Sequence, residues 1–306
     1  MFRMADYAAP MDLTALRSFH EVCQQGSISA AATALGYTQS AVSRQLATLE
    51  AALRGPLLHR HARGVRPTPA GEALLAHTAA ILARVERAAE EVAAARTRQP
   101  ARLRVGAVPT AVGHLLPRAL IRFAADEPGV RVSFAEGVTP RLLPRLRDGK
   151  LDLVVVTDYP PGLPVLDGVR VVHLLDDPLL LALPRGHRLA AAERVDLADL
   201  AEEAWVEDYA GAAAVLTSAC GRAGFTPRVE IETGGWMGKL AFVAAGFGVC
   251  LVPGLLAPAV RADVAIRELS DPPRRAVYAA LRTRDARTGP AARFADALVE
   301  AAAGAA

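Results

Sequence analysis

Lysine is almost missing from this chain: among 306 residues only Lys150 and Lys239 carry it. Positive charge rests on arginine instead, and 35 basic against 32 acidic residues leave a net charge of +3. So small an excess does not imply a polyanionic partner; only its distribution along the chain can. Cysteine is scarce as well. Cys23, Cys220 and Cys250 have neither the spacing of a metal site nor the count of a disulfide framework, which fits a reducing compartment. No run is long and apolar enough to span a bilayer, and the opening MFRMADYAAP lacks the apolar core of a signal peptide. The expected location is the cytoplasm, with no membrane partner. Residues 1–10 read as a disordered extension, with Met11 as an alternative start. Signatures of catalysis are missing too. There is no G-x-S-x-G, no P-loop and no G-x-G-x-x-G, and Gly246-x-Gly248 lies between a helix and a strand, the wrong order for a dinucleotide turn. Seven histidines form no metal motif; His59 and His61 alone are too few. No catalytic residue, metal or cofactor is expected, and the chain does not read as an enzyme.

What is present begins at Ser27. Ile28, Ala31, Ala32 and Leu35 recur at three- and four-residue steps behind Ser27, a helix N-cap, and Gly36 ends that helix. Thr38 then caps a second helix whose apolar residues are Ala41, Val42, Leu46, Leu49 and Leu53. Its other face carries Gln39, Ser40, Ser43, Arg44 and Thr48. Gln offers a bidentate amide to adenine, Arg a fork to guanine, and hydroxyls bond to bases or phosphates. A helix whose first turn is built of small polar residues fits a DNA major groove, and its N–H groups attract a phosphate.

The flanks supply what such a pair needs. Leu13, Leu16, Phe19, Val22 and Cys23 form a third apolar stripe behind Asp12, a further N-cap. After Gly55-Pro56 the chain runs through two short basic segments that read as a β-hairpin wing, placing Arg60, Arg63 and Arg66 near phosphates or a narrow minor groove. From Met11 to Gly71 the arginines are Arg17, Arg44, Arg54, Arg60, Arg63 and Arg66, against Asp12, Glu21 and Glu50. That local positive charge strengthens DNA affinity and makes it salt-dependent. Thr68 and Pro69 open a new helix.

Residues 11–71 resemble the N-terminal winged helix-turn-helix of LysR-type transcriptional regulators. The resemblance rests on MDLTALRSFHEV, GSISAAATALGYTQSAVSRQLATLEAAL, PLLHR and the T-P-A-G that opens the next helix. Three positions depart from the family pattern: Arg54 where Gly is usual, Leu58 where Phe is usual and Ser40 where Pro is common. The first two concern packing and the approach to the wing. The third lies at the base-reading end and bears on sequence preference.

From Pro69 to about Arg98, Leu75, Thr78, Leu82, Val85, Ala89 and Val92 form a heptad seam, with Glu86, Arg87, Glu90 and Glu91 outside it. This stretch reads as a dimerisation helix, and a two-fold dimer calls for a near-palindromic operator. Beyond Pro100, strands alternate with helices in two successive sets. The expected strands are Leu103–Val108, Val130–Phe134 (with clean alternation), Leu153–Val156, Leu179–Leu183, Ala204–Val206, Arg228–Ile231, Val249–Val252 and Val277–Leu281. A parallel sheet follows for each set. This part resembles the family's effector domain, a two-lobed α/β fold similar to periplasmic solute-binding proteins, on the strength of LRVGAVPTAVGHLLPRAL, DGKLDLVVV, LALPRGHRLA and VAAGFGVCLVP.

The expected organisation is a winged helix-turn-helix over 11–68, a linker helix over 69–98 and an effector domain over 101–306. Its first lobe covers about 101–174 and 275–306, its second about 175–274. A cleft between lobes takes a small molecule beyond the carboxyl ends of the strands. There stand Thr110, Ala111, Thr139, Thr157, Asp208, Tyr209 and Trp236. The resemblance gives Thr110 and Thr139 as positions that bond an effector carboxylate; the plainer alternative is that both are helix N-caps. Asp158, Glu207 and Asp208 would repel an acid and favour an amine-bearing or mixed-charge effector.

The chain is therefore expected to be an effector-modulated regulator that binds double-stranded DNA as a homodimer or, by resemblance, a homotetramer, with RNA polymerase as a further candidate partner. Two alternatives stand beside it. One is a solute-binding protein or enzyme whose N-terminal part only oligomerises. The other is a redox-sensing regulator using Cys220 and Cys250, because peroxide-sensing members of the family use two cysteines in the effector domain.

Overall fold

The computed structural model describes residues 11–61, 64–97, 101–158, 162–164, 166–207 and 213–304. These fall into two compact units that divide between Gln99 and Pro100, apart from the short Arg147–Lys150 turn. The expected extension at 1–10 lies outside the described residues.

In the first unit, α1 (Leu13–Gln25), α2 (Ile28–Leu35) and α3 (Gln39–Ala52) are each started by the residue the sequence offered. Asp12, Ser27 and Thr38 accept from the backbone N–H of Thr14, Ala30 and Ala41. Phe19, Val22, Ala31, Val42, Leu46 and Leu49 bury the faces predicted to be apolar, and Leu58 joins the same core. The wing is β1 (Leu58–His61) paired antiparallel with β2 (Gly64–Pro67). It is tethered at both ends. Glu50 Oε1 accepts from Leu57 N–H at 2.8 Å and Leu58 N–H at 3.3 Å, and Val65 N–H donates to the Gly26 carbonyl at 2.9 Å. A Cβ on Gly71 would strike the Leu57 carbonyl, which explains the glycine of the T-P-A-G run.

Helix α4 (Pro69–Thr97) begins at Thr68, whose Oγ1 accepts from Gly71 N–H at 3.0 Å. Its seam divides in two. Leu75 and Leu82 pack on the core of their own unit and Thr78 is buried, whereas Val85 and Val92 are exposed. Ala89 is exposed with them.

The second unit is built on one long strand, β6 (Val169–Pro184). Before it come β3 (Ala101–Ala107), the one-turn helix α5 (Pro109–Val112), α6 (Leu115–Asp126), β4 (Val130–Glu136), α7 (Thr139–Arg147) and β5 (Leu153–Thr157). After it come β7 (Arg194–Val195), β8 (Ala204–Glu207), α8 (Ala213–Arg222), β9 (Arg228–Glu232), α9 (Trp236–Ala244), β10 (Cys250–Pro253), β11 (Val264–Leu269), β12 (Arg274–Arg282) and α10 (Pro290–Ala303). Strands β4, β3 and β5 are parallel neighbours, as the alternation predicted. Strand β12 then runs antiparallel between β5 and β6. Residues Val169–Pro178 of β6 pair with β12, while Leu179–Pro184 pair with β10 and β11, so one continuous strand serves both lobes. Helix α10 returns to the first lobe, where Phe294 meets Phe123 edge to face at 5.2 Å.

Two expectations about strands need correction. The second set is parallel only in part: β8 pairs parallel with β9, but β10 and β11 run antiparallel to β6, which enters this lobe as the continuation of a strand shared with the first. Strand β4 does not alternate in burial. It is the sheet edge, and Val132 and Phe134 are both exposed.

Candidate DNA-reading surface and effector site

Helix α3 sorts its side chains as a groove-reading helix must. Val42, Leu46 and Leu49 are fully buried on one side. Thr38, Gln39, Ser40 and Arg44 are exposed on the other, and Ser43 is half-buried. Ser40 shares a 3.1 Å hydrogen bond with the Thr38 hydroxyl, so the residue that departs from the family pattern braces the cap. On the wing, Arg60 and Arg66 are exposed. Arg60 is opposite Val65 and Arg66 is opposite His59, in successive cross-strand pairs. Successive pairs point to opposite faces, so among the described residues of the ribbon Arg60 and Arg66 lie on opposite faces. Arg63 lies outside the described residues.

Arg54 requires a different account from packing. Its φ is 56°, which makes it the one non-glycine residue in the left-handed region among the described residues. The Gly55 N–H closes the turn onto the Glu50 carbonyl at 3.0 Å. The usual glycine here is explained by backbone conformation, and arginine is strained by it.

The α/β unit treats its polar residues in another way. Thr110 is buried in α5, and its hydroxyl accepts from Arg275 Nη2 at 2.7 Å. Arg275 Nε and Nη2 donate to Asp177 Oδ2 at 2.9 and 2.7 Å, and Asp177 Oδ1 accepts from Leu255 N–H at 2.9 Å. Arg275 and Asp177 face each other across β12 and β6, at the last residues before β6 changes partners. Thr139 at the start of α7 donates to the Thr157 carbonyl at 2.9 Å and accepts from Thr157 N–H at 3.2 Å. Neither threonine is an N-cap: Val108 holds that place for α5, and the Thr139 hydroxyl is occupied by β5. The Ala111 side chain belongs to the apolar core of the first lobe. Trp236 is half-buried at the first residue of α9, and Lys239 Nζ stands 4.9 Å from its ring centre. Lys239 is ion-paired with Glu207, and both are buried. Asp208 and Tyr209 lie outside the described residues.

Two of the three carboxylates behind the expectation of an amine-bearing or mixed-charge effector have partners of their own, and the third, Asp208, lies outside the described residues. Glu207 is neutralised by Lys239, and Asp158 accepts from Ala276 N–H at 2.7 Å and Tyr278 O–H at 3.3 Å. Arg275 and Asp177 were missed because only long-range strand pairing brings them to Thr110; Lys239 was missed although its place one turn after Trp236 on the same helix was a local signal.

A winged helix-turn-helix followed by a two-lobed α/β domain defines the class: a helix-turn-helix regulator with an appended sensing domain. Residues 13–72 match the bacterial regulatory helix-turn-helix proteins of the lysR family, and residues 96–303 match the LysR substrate binding domain. The chain belongs to the LysR family of transcriptional regulators. Its relatives include a probable hydrogen peroxide-inducible genes activator of Mycobacterium avium, 38% identical over 202 residues. That match covers 65% of this chain and 63% of the relative. The transcriptional regulator ShiR of Corynebacterium glutamicum is 31% identical over 269 residues, covering 85% of this chain and 90% of ShiR. Among solved structures, the LysR family regulator CbnR superposes with a TM-score of 0.70 at 23% identity, over 95% of this chain and 99% of CbnR. A C206 mutant of Corynebacterium glutamicum OxyR gives 0.60 at 26% identity, over 98% and 94%.

Proposed function

We propose that this chain is a cytoplasmic, sequence-specific regulator, not an enzyme, whose affinity for or bending of a near-palindromic operator changes when a small molecule enters its α/β domain. The observation that carries the reading is the two-sided sorting of α3: Thr38, Gln39, Ser40 and Arg44 exposed over a buried apolar face. Ser43, Arg60, Arg63 and Arg66 complete the assigned DNA contacts. Val85, Ala89 and Val92, the exposed half of the α4 seam, join two copies into a homodimer, with a homotetramer as the larger assembly. The effector contacts are assigned to Thr110, Ala111, Thr139, Thr157, Asp208, Tyr209 and Trp236. The domain limits remain those of the sequence, at 11–68, 69–98 and 101–306, with two lobes inside the last.

Relatives described as peroxide-inducible activators raise the cysteine alternative. Here Cys220 and Cys250 are fully buried, and burial pushes their thiols up to about 11 and about 12. Peroxide attacks thiolates, so an effector bound without covalent chemistry is the favoured signal.

The test is fluorescence anisotropy on a duplex carrying the region upstream of the chain's own gene, beside a scrambled duplex. Arg44→Ala is expected to weaken the specific complex by about 10–100-fold, the worth of one good bidentate base contact, and to leave the scrambled complex nearly unchanged. Equal losses on both would make Arg44 a phosphate contact and move base reading away from α3. For the effector, a thermal-shift screen of metabolites on the full chain supplies a ligand. Thr110→Val should then keep operator binding and blunt the response to that ligand; an unchanged effector titration rejects the assignment.

A further inference from the structure

The wing has two unlike faces. Cross-strand pairing sets Leu58 opposite Pro67, His59 opposite Arg66, Arg60 opposite Val65 and His61 opposite Gly64. Side chains alternate between faces along each strand. Leu58, Arg60, Val65 and Pro67 therefore share one face, and that face is turned to the core: Leu58 is buried in it and Val65 packs against it. His59, His61 and Arg66 share the other face, and all three are exposed. We propose that His59 and Arg66 form a phosphate-binding pair, so that contact with the DNA backbone takes up a proton and operator affinity rises as pH falls. The proposal rests on the reading of this unit as DNA-binding.

Residues directly opposite in an antiparallel ribbon have Cβ atoms about 5 Å apart, so one phosphate can touch both side chains of the pair. A guanidinium is always charged, whereas histidine is the side chain whose charge changes between about pH 5 and 8. Two like charges directly opposite are destabilising. A phosphate seated against both removes that cost and accepts a charge-assisted hydrogen bond from each. Arrival of a phosphate and protonation of His59 are therefore coupled.

The surroundings leave that coupling to an anion from outside. Between Glu50 and Glu72 the chain has no carboxylate, while Arg54, Arg60, Arg63 and Arg66 all fall there. On the face of His59 stand Arg66 across the ribbon and His61 two residues on, and His61 is opposite Gly64 instead of a cation. Helices α1 and α4 meet the ribbon through β2 on its core face, where Val65 packs and a Cβ on Gly71 would touch Pro67. The carboxylates nearest in the chain on these elements are engaged elsewhere. Glu50 accepts from Leu57 and Leu58 N–H, and Glu21 Oε1 accepts from Gln25 Nε2 at 2.9 Å. Glu72 is close enough to Cys23 of α1 to add to the burial that pushes that thiol up to about 11.

The test is fluorescence anisotropy of the full-length protein at fixed ionic strength, at about pH 6 and about pH 8, on the duplex from upstream of its own gene and on the scrambled duplex. The wild type should bind both about fivefold more tightly at the lower pH, the upper end of what one exposed ion pair contributes. Both duplexes respond because a phosphate contact carries no sequence information. The slope of log affinity against log salt should also be steeper by about 0.9 at the lower pH. His59→Gln, which keeps a hydrogen-bonding side chain that cannot become charged, should lose both differences, with urea unfolding unchanged. His61→Gln should keep most of them. A wild type indifferent to pH, an equal pH dependence in wild type and His59→Gln, or a dependence removed only by His61→Gln overturns the pair and leaves the DNA-binding reading in place. Binding of neither duplex at either pH removes that reading, and the pair with it.

Discussion

On α3, Thr38, Gln39, Ser40 and Arg44 face solvent, while in the α/β unit Thr110, Glu207 and Lys239 are buried and bonded to one another or to a neighbouring strand. The contrast is the one expected of a surface that meets DNA and of an interior proposed to enclose a small molecule. A DNA duplex is a rigid polyanion that meets a protein at its surface, so the groups that read it stay outside and can be satisfied by water until it arrives. A small molecule is enclosed, and an enclosed site must satisfy its polar groups internally while empty. The polar residues of one region can therefore be changed at little cost in stability, and those of the other cannot.

The sharpest way to break that comparison is Arg275→Met, which leaves Asp177 buried and unpaired beside Thr110 and Leu255 N–H. The expected loss is about 3–5 kcal/mol of stability, read from urea unfolding of the full chain; a loss as small as that of Arg44→Ala would erase the distinction between the regions. Next in size is the wing. Arg60→Ala and Arg66→Ala should leave stability unchanged and each lower the slope of log affinity against log salt by about 0.9. Because the register puts them on opposite faces, a slope that falls for only one of them would show which face meets the phosphates. Arg54→Gly should raise stability by about 1 kcal/mol by relieving its left-handed backbone, read from the same urea unfolding.

The smallest expected effect concerns the thiols. Native protein at pH 8 should resist both alkylation and peroxide at Cys220 and Cys250, with no change in operator affinity, until it is unfolded. Both folded values lie above the ordinary 9.0. Their contribution to stability is thus complete below pH 9 and lost as pH rises through about 11 and about 12. Cys250→Ala should flatten that part of the urea-midpoint profile between pH 9 and 12. A steep loss near pH 7 would mean that the thiols ionise far more easily than burial allows.

Much of this molecule was readable before any coordinates. The caps at Asp12, Ser27 and Thr38, the buried stripe of α3 and the wing all stand where local spacing put them. Each of these is set within one or two turns of chain, where periodicity and capping act. The failures share the opposite property. Strand β6 was seen only as Leu179–Leu183: Val169, Val171, Val172, Leu174 and Leu175 carry a strand signal of their own, but Asp176-Asp177-Pro178 interrupts the apolar pattern before Leu179 and hides the continuity. The exposure of Val132 and Phe134 depends on β4 being an edge, which no pattern inside β4 records.

The sequence by itself determined the DNA-reading unit and the family, since a helix face, a cap and a motif are local facts. Tertiary structure decided the buried polar network of the α/β unit. Arg275 is 165 positions from Thr110 and 98 from Asp177, and Lys239 is 32 from Glu207. Over such separations chain spacing carries no information about which charge meets which. Only the strand β6 shared by two lobes, and the packing of α9 beside it, settled which of these polar groups meet.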